Sequence, residues 1–173
     1  MALTKVRGSG VTGMTISASN LILPNIPILQ VAATDTDQSI TNNTDTKVEW
    51  ETVELDTLSG WSTSNHRYTP TVAGYYLVGG VLRMQLSSDH KFVLTTVAKN
   101  GSATSGTTDM LRFQLNFDAD RLQNSSIPIP TGLMEMNGSS DFMEVFCRVD
   151  EDATIHDSTS PKSYFFAQLV HAT

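Results

Sequence analysis

The chain has 173 residues, a length that suits one domain with a short additional segment. Its formal net charge of -7 argues against a nucleic-acid-binding surface, which needs clustered Lys and Arg, and against attraction to anionic lipid. The single cysteine, Cys147, excludes an intrachain disulfide and a cysteine metal cage, and we interpret it as a buried small hydrophobic residue. No apolar run approaches the length of a membrane span, so we expect no membrane insertion.

Residues 1–27 differ in composition from the rest of the chain. They are rich in Gly, Ser and Thr and contain Pro24 and Pro27, so they cannot bury much apolar surface by themselves. Two interpretations stay open: a flexible tail, or an arm that becomes ordered by docking on a partner protein. We favour the arm and expect its apolar side chains to form the anchor: Leu3, Val6, Met14, Ile16, Leu21 and Leu23.

The opening stretch Met1–Gly13, MALTKVRGSGVTG, contains no apolar core of signal-peptide length. This predicts a protein that is not secreted by the usual route and that assembles in a reducing cytoplasm, since it has no disulfide. The same stretch resembles the start of many virion proteins of tailed phages, particularly phages of cyanobacteria. The resemblance implies a virion component that residues 1–27 attach to other virion proteins.

Short strands and polar turns are predicted for the next part of the chain. Ile28–Ala33 is the first predicted strand, and a polar loop with a short strand at Ser39–Thr41 follows it. The apolar positions change phase within Lys47–Leu55, which indicates either a bulge or two short strands. Residues 58–66 are predicted to form a turn region that carries Trp61.

The stretch Arg67–Leu86 begins with a turn signal at Thr69–Thr71 and then alternates from Tyr75 onward, and we predict it to be the central strand of a packed β-domain. Its side chains divide between two faces, because successive residues of a strand point to opposite sides. One face is apolar throughout: Tyr76, Val78, Gly80, Leu82, Met84 and Leu86. The other is apolar as far as Val81 and polar at Arg83 and Gln85, so we expect that end to reach solvent.

Four further strands are predicted in the second half of the chain: Lys91–Lys99, Thr107–Phe117, Asp141–Val149 and Lys162–Val170. Asn100-Gly101 predicts a tight hairpin after the first of these strands. Two prolines in Ser126–Met136 predict an edge strand or a bend, because proline has no N–H to donate. About nine or ten short strands without a helical stretch predict an all-β sandwich or barrel.

A sparse pattern of residues runs through the middle of the chain: Trp50, Asp56, Trp61, Tyr68, Gly74 and Tyr76. In spacing and residue class these positions resemble the signature of the complement globular-head family, which is related to tumour necrosis factor. The chain departs from that signature at Trp50 and Tyr68, where the family prefers Phe, and at Val78 and Gly80, where it prefers aromatic residues. The resemblance implies a trimeric jelly-roll sandwich of about ten strands for residues 28–173, with residues 1–27 as an N-terminal anchoring arm.

Several predicted strands are apolar on both faces, which favours an oligomer. A two-layer sandwich needs only one apolar face on each strand, and monomers rarely expose large apolar patches. A closed homotrimer would cover the second face, and the resemblance implies three copies. We expect these residues in the core or in subunit contacts: Trp50, Trp61, Tyr68, Gly74, Tyr76, Phe142, Phe146 and Phe166.

Candidate metal and catalytic residues are few. Calcium could be held by loop carboxylates, with weak candidates at Asp35, Asp37, Asp118, Asp120, Asp150 and Asp152, although we favour solvated loop charges. The four histidines are predicted to lie in or beside loops or at the terminus, and none shows the spacing of a metalloprotease or a hydrolase triad. Trp61 could stack on a sugar, but we favour a core or subunit contact. We therefore expect no enzyme activity and no cofactor.

These observations favour a structural virion protein of a tailed phage, assembled in the host cytoplasm. The expected form is a trimeric fibre tip or adhesion module that contacts a glycan or protein on the host surface through three copies. A capsid decoration or head-fibre protein is an open alternative. A secreted complement-like recognition or signalling module is an alternative of another class, and a small carbohydrate-active enzyme would need paired carboxylates that no motif marks.

Overall fold

The computed structural model describes residues 26–33, 36–86, 91–101, 103, 109–117, 124–156 and 162–173. Within these ranges the chain forms β-strands and no helix, so no helix there is long and apolar enough to cross a membrane. The strands are β1 (Ile28–Ala33), β2 (Gln38–Ile40), β3 (Thr46–Lys47), β4 (Thr52–Asp56), β5 (Trp61–Ser62), β6 (Arg67–Tyr68), β7 (Ala73–Gln85), β8 (Phe92–Lys99), β9 (Met110–Asn116), β10 (Asn124–Asn137), β11 (Met143–Val149), β12 (Ala153–Ile155) and β13 (Ser163–Ala172).

A seven-stranded antiparallel sheet is built around β7, the strand predicted to be central. Strand β10 pairs along the whole of β7 on one side, while β13 and then β12 pair with it on the other. The order continues from β13 to β1 and β4, and β2 lies beyond β12. Strand β10 is an edge strand with a register shift between Ile129 and Gly132, which confirms the prediction from its prolines.

A six-stranded sheet contains the order β5-β6-β11-β8-β9, with β3 also paired to β11. Asn100 and Gly101 have positive φ values of 57° and 80°, as a turn after β8 requires. The predicted tight hairpin is nevertheless wrong, because Lys99 N–H donates to the Asp109 carbonyl at 3.0 Å and β9 begins only at Met110. The pairing of Val97 with Leu111 sets this longer connection, since it brings both side chains to the inner face.

The two sheets pack face to face around one core, which confirms the predicted all-β jelly-roll sandwich. The inward face of β7 is the predicted one, and Tyr76, Val78, Leu82 and Met84 are completely buried. Between β3 and β4 the chain crosses from one sheet to the other, so the segment forms two short strands. The β1–β4 pairing also shifts register between Val53 and Leu55, so both predicted irregularities are present. Val48 and Trp50 lie on this crossing and are also completely buried.

Several sequence predictions fall on residues outside the described ranges. They are the proposed anchor residues Leu3, Val6, Met14, Ile16, Leu21 and Leu23, the calcium candidates Asp35, Asp118 and Asp120, and the histidine His90.

Candidate functional site

The outer face of the seven-stranded sheet, which points away from the core, carries a cluster of large apolar side chains. We call this cluster the outer patch: Tyr75, Leu77, Val81, Leu133, Tyr164 and Phe166. The pairing register brings them together, because Leu77 lies opposite Leu133 on β10 while Val81 lies opposite Tyr164 on β13. Tyr75 is 36% exposed and Leu133 is 56% exposed, so nothing in the described part of the chain covers the patch fully.

Gly79 leaves room for an aromatic ring within the outer patch. A Cβ atom on Gly79 would come within 3.0 Å of Cε1 of Phe166, its partner across the β7–β13 ladder. The ring therefore occupies space that any larger residue at position 79 would take. This explains one of the two adjacent glycines, since glycine inside a strand marks the close approach of a neighbouring group.

Polar side chains border the outer patch at both ends. At one end the β7 residue Tyr75 lies between Glu135 on β10 and His171 on β13, and the Tyr75 and His171 rings are 6.3 Å apart. At the other end the sheet presents Arg83 and Gln85, where the sequence predicted that this face reaches solvent. Gln85 is exposed and Arg83 is half-buried. An apolar centre with a polar rim is the usual anatomy of a protein–protein interface.

The outer face of the six-stranded sheet is covered by its own polar side chains. Lys47 pairs with Glu144 at 3.1 Å, and Arg112 Nε donates to the Thr96 hydroxyl at 3.2 Å. As a result Thr96 is only 1% exposed and Glu144 only 7% exposed, although both lie on the outer side of the sheet. Long charged side chains can cover a sheet in this way because their stems lie along it while their heads stay in water.

The strand predicted over Asp141–Val149, which is also apolar on both faces, corresponds to β11 in this second sheet. Phe146 is half-buried opposite Thr96 and Lys47, and Phe142 lies under the Arg67 guanidinium at 4.4 Å from the ring centre. Both rings are thus on the opposite side of the sandwich from Phe166. Their predicted place in subunit contacts stays a prediction.

The signature residues form a connected structural unit. Asp56 accepts backbone N–H bonds from Gly60 at 3.2 Å and from Trp61 at 2.8 Å, which sets the turn between β4 and β5. Trp61 is half-buried and packs against the core. The Trp61 indole N–H, buried like that of Trp50, has no hydrogen-bond partner among the described residues.

Aromatic packing joins the remaining signature positions. Tyr68 and Tyr76 meet edge to face at 6.3 Å, and the Tyr76 hydroxyl donates to the Val72 carbonyl at 2.8 Å. Burial raises the pKa of Tyr76 to about 12, so its hydroxyl stays a neutral donor. Gly74 has a positive φ of 150°, and a Cβ there would lie 2.1 Å from the His171 carbonyl oxygen. Packing and hydrogen bonding therefore constrain Tyr68, Gly74 and Tyr76.

Cys147 is completely buried, as the sequence predicted. Burial raises the pKa of its thiol to about 12, so the reactive thiolate is not formed near neutral pH.

The described calcium candidates are engaged in local contacts. Asp150 accepts backbone N–H bonds from Lys91 and Phe92, Asp152 accepts one from Asn42 at 2.8 Å, and Asp37 contacts His156 at 3.1 Å. No group of three or more His, Cys, Asp or Glu within the described ranges is arranged to hold a metal ion.

The described chain enters the domain beside the outer patch. The Ile26 carbonyl accepts a hydrogen bond from the Thr57 hydroxyl at 2.7 Å, and the Pro27 carbonyl accepts one from Leu169 N–H at 2.9 Å. Leu169 pairs with Tyr76 near the start of β7, so Ile26 and Pro27 lie at this end of the sandwich.

A polar cleft lies at the opposite end of the sandwich, where β7 finishes. We call it the tip cleft; it has a volume of about 400 Å³ and is lined by Ser39, Ile40, Thr41, Gln85, Leu86, Asp152, Ala153 and Thr154. Sequence reasoning missed it, because its residues come from three separate strands. In the sequence, only the change from apolar to polar side chains at Arg83 and Gln85 had indicated an accessible surface there.

Comparison with known proteins shows the fold. No protein-family model matches the sequence, and no curated protein sequence matches it. Among solved structures, the chain is similar to the globular domain of zebrafish complement 1qA protein, with 10% identity, a TM-score of 0.58, and coverage of 86% of this chain and 100% of that chain.

The chain is also similar to the structure of Eiger TNF from S. frugiperda, with 12% identity, a TM-score of 0.63, and coverage of 86% of this chain and 94% of that chain. At such identities the likeness establishes a jelly-roll fold of the complement globular-head and tumour-necrosis-factor type.

Proposed function

We propose that the protein is a structural virion protein of a tailed phage that assembles as a homotrimer in the host cytoplasm. Residues 1–27 would anchor it to other virion proteins, and the jelly roll would be displayed as a fibre tip or adhesion module. It would act by binding a host surface through three copies, without catalytic turnover. The observation that carries this proposal is the outer patch, an exposed apolar surface at the centre of the larger sheet.

The outer patch supports assembly because its exposure is costly for a lone chain. Fully burying a large apolar side chain contributes about 1.5–3 kcal/mol. Several such side chains in one cluster would stabilise a closed oligomer well, and the polar residues at both ends would form the rim. Three copies are favoured by the resemblance in the signature residues and by the jelly-roll fold.

The placement of the two ends supports an anchored module. Ile26 and Pro27 are held at the end where β7 begins, whereas the tip cleft lies where β7 finishes. About ten residues of β7 separate the end that holds Ile26 and Pro27 from the tip cleft, which corresponds to roughly 33 Å along the strand. An arm at one end would leave the other end directed outward. The tailed-phage resemblance of the opening residues supports a virion as the anchoring partner.

Two alternatives use the same geometry. A capsid decoration or head-fibre protein would have the same arm and trimer but would dock on the head. A secreted recognition or signalling module is equally compatible with the fold, since the globular domain of a zebrafish complement protein is a structural neighbour. In that case the arm would have no virion partner.

The test compares the full chain with a variant in which the six apolar anchor residues are changed to serine. Mass in solution is measured for both, followed by binding to phage particles that lack this protein. We expect two trimers, of which only the unchanged chain binds particles. Electron microscopy of the bound particles separates tail from head attachment. A monomeric unchanged chain, or a trimer that binds no particle, would refute the assembly or the virion role respectively.

A further inference from the structure

We propose that the tip cleft is a binding site for a neutral saccharide, of the kind that surface polysaccharides present. This inference deepens the proposed adhesion function, on which it rests, by assigning the ligand class and the residues. The tip cleft has a volume of about 400 Å³, which lies within the range of ligand sites, and it is open to solvent.

Apolar core residues support the tip cleft. Ile40, Leu86 and Ala153 line it but are at most 8% exposed and belong to the core cluster, so they offer little apolar surface to a ligand. A ligand would therefore meet mainly the polar side chains of the cleft.

The rim of the cleft is a row of neutral hydrogen-bonding side chains. Thr154 on β12 pairs with Ser39 on β2 and with Gln85 on β7, so these three side chains lie side by side on neighbouring strands. Adjacent strands are about 4.8 Å apart, which spaces the three groups across the width of a small ligand. Thr41 adds a further hydroxyl beyond the end of β2.

These four side chains are available to a ligand. Neither the hydroxyls of Ser39, Thr41 and Thr154 nor the Gln85 amide hydrogen-bonds to another residue of the described chain. Hydroxyl and amide groups both donate and accept, and so do the hydroxyls of a sugar. The cleft therefore offers a matching set of neutral partners.

Charge selects a neutral ligand over an ionic one. Among the described residues that line the cleft, Asp152 is the only ionisable one, and none is a Lys or Arg that would attract a phosphate or an acidic sugar. Asn42 N–H donates to Asp152 Oδ1 at 2.8 Å and orients the carboxylate. A single carboxylate is too few for a calcium site, but it accepts strong hydrogen bonds from hydroxyl donors.

The experiment measures binding of the full chain to an array of neutral and acidic oligosaccharides, followed by titration calorimetry with the best neutral oligosaccharide and its component free monosaccharides. Tighter binding of the oligosaccharide would indicate a surface polysaccharide as the source, and equal binding would indicate free sugar. Gln85→Leu removes the amide at similar size, and Asp152→Asn removes the charge. Gln114→Leu on the exposed outer face of β9 is the matched control.

We expect neutral saccharides to bind and both cleft variants to weaken binding at least about tenfold, the effect of one lost hydrogen bond to a buried ligand group. The control should bind like the unchanged chain. The proposal is overturned if no neutral saccharide binds, if acidic ones bind equally well, or if Gln85→Leu has no effect. Trimer mass and particle attachment are measured on the same samples. A trimer that attaches to particles but binds no saccharide refutes the cleft site alone.

Discussion

The outer faces of the two sheets meet solvent in different ways. On the six-stranded sheet, Lys47, Arg112 and Glu144 form ion pairs and hydrogen bonds that cover Thr96 and its neighbours. On the seven-stranded sheet, the central rows are Leu77 with Leu133 and Val81 with Tyr164, and Leu133 is 56% exposed. One face is thus closed by its own residues, while the other keeps exposed apolar side chains.

The difference shows why an apolar strand face is not by itself a sign of assembly. Phe146 and Phe166 are both half-buried aromatic residues on outer faces. Phe146 has Lys47 as its neighbour across the ladder, whereas Phe166 has Gly79 on one side and Gln30 on the other. The side chains on the neighbouring strands decide whether a ring is covered within the chain.

The largest expected effect is on assembly. Phe166→Glu places a charge in the centre of the outer patch, where a second copy would have to desolvate it, so we expect a trimer to become a monomer. Light scattering at micromolar concentration measures the mass. Phe146→Glu is the matched control on the other sheet, where Lys47 can pair with the new carboxylate, and it should stay trimeric. Equal masses for the two variants would contradict the proposed difference between the outer faces of the two sheets.

The next largest effect is on stability, and it differs between the two adjacent glycines of β7. A Cβ on Gly80 would lie 2.1 Å from the Tyr164 carbonyl oxygen, and its φ is 159°, so we expect Gly80→Ala to lower the free energy of unfolding by about 2–4 kcal/mol. At Gly79 the nearest atom is the Thr131 hydroxyl at 2.7 Å, which can rotate away. Gly79→Ala should therefore cost less than about 1 kcal/mol but shift Phe166 and weaken assembly. Urea unfolding and mass measurement distinguish the two outcomes.

A third prediction concerns the ion pair between Asp141 and Lys99 beside the six-stranded sheet. Burial alone would raise the pKa of Asp141, but hydrogen bonds from Asn100, Lys99 and the Asn137 N–H, with the charge of Lys99, lower it overall. A lowered pKa in the folded state contributes stability above the unfolded value of about 4, and this contribution is lost as pH falls through the folded pKa. We expect Asp141→Asn to lower stability by about 1–3 kcal/mol at neutral pH.

Urea unfolding at neutral and acidic pH checks that prediction. The difference between the unchanged chain and Asp141→Asn should shrink as pH falls below about 4. Asp109→Asn, at an exposed position before β9, serves as the control and should have little effect at either pH. A constant difference across the pH range would show that Asp141 acts through packing and not through its charge.

The smallest expected effect is the loss of stability when one of the polar side chains that cover the six-stranded sheet is removed. Arg112→Ala removes the donor to Thr96 and to the Ala103 carbonyl, so we expect a loss of about 1 kcal/mol in unfolding free energy. The trimer mass should not change, because the outer patch proposed to drive assembly lies on the other sheet. Gln114→Ala, one residue pair along β9, should leave stability nearly unaltered. A change of mass in Arg112→Ala would mean that the six-stranded sheet also contacts another subunit.

Much of the fold could be predicted from local pattern. The strand at Ile28–Ala33, the faces of β7 and the edge position of β10 follow from alternation and from proline chemistry, which act over a few residues. The Asn100-Gly101 hairpin failed because the turn residues specify a bend but not the residue at which the partner strand begins. That position is set by matching Val97 to Leu111 across the core.

The sequence by itself determined an all-β chain, the inward face of its central strand and the signature residues that pack around Asp56 and Tyr76. These depend on neighbours close in the chain, on steric limits and on the period of a strand. Only the tertiary structure decided that β7 and β13 lie side by side while β11 belongs to the other sheet. The outer patch and the tip cleft arise from that strand order, because they join residues distant in sequence whose pairing no local pattern specifies.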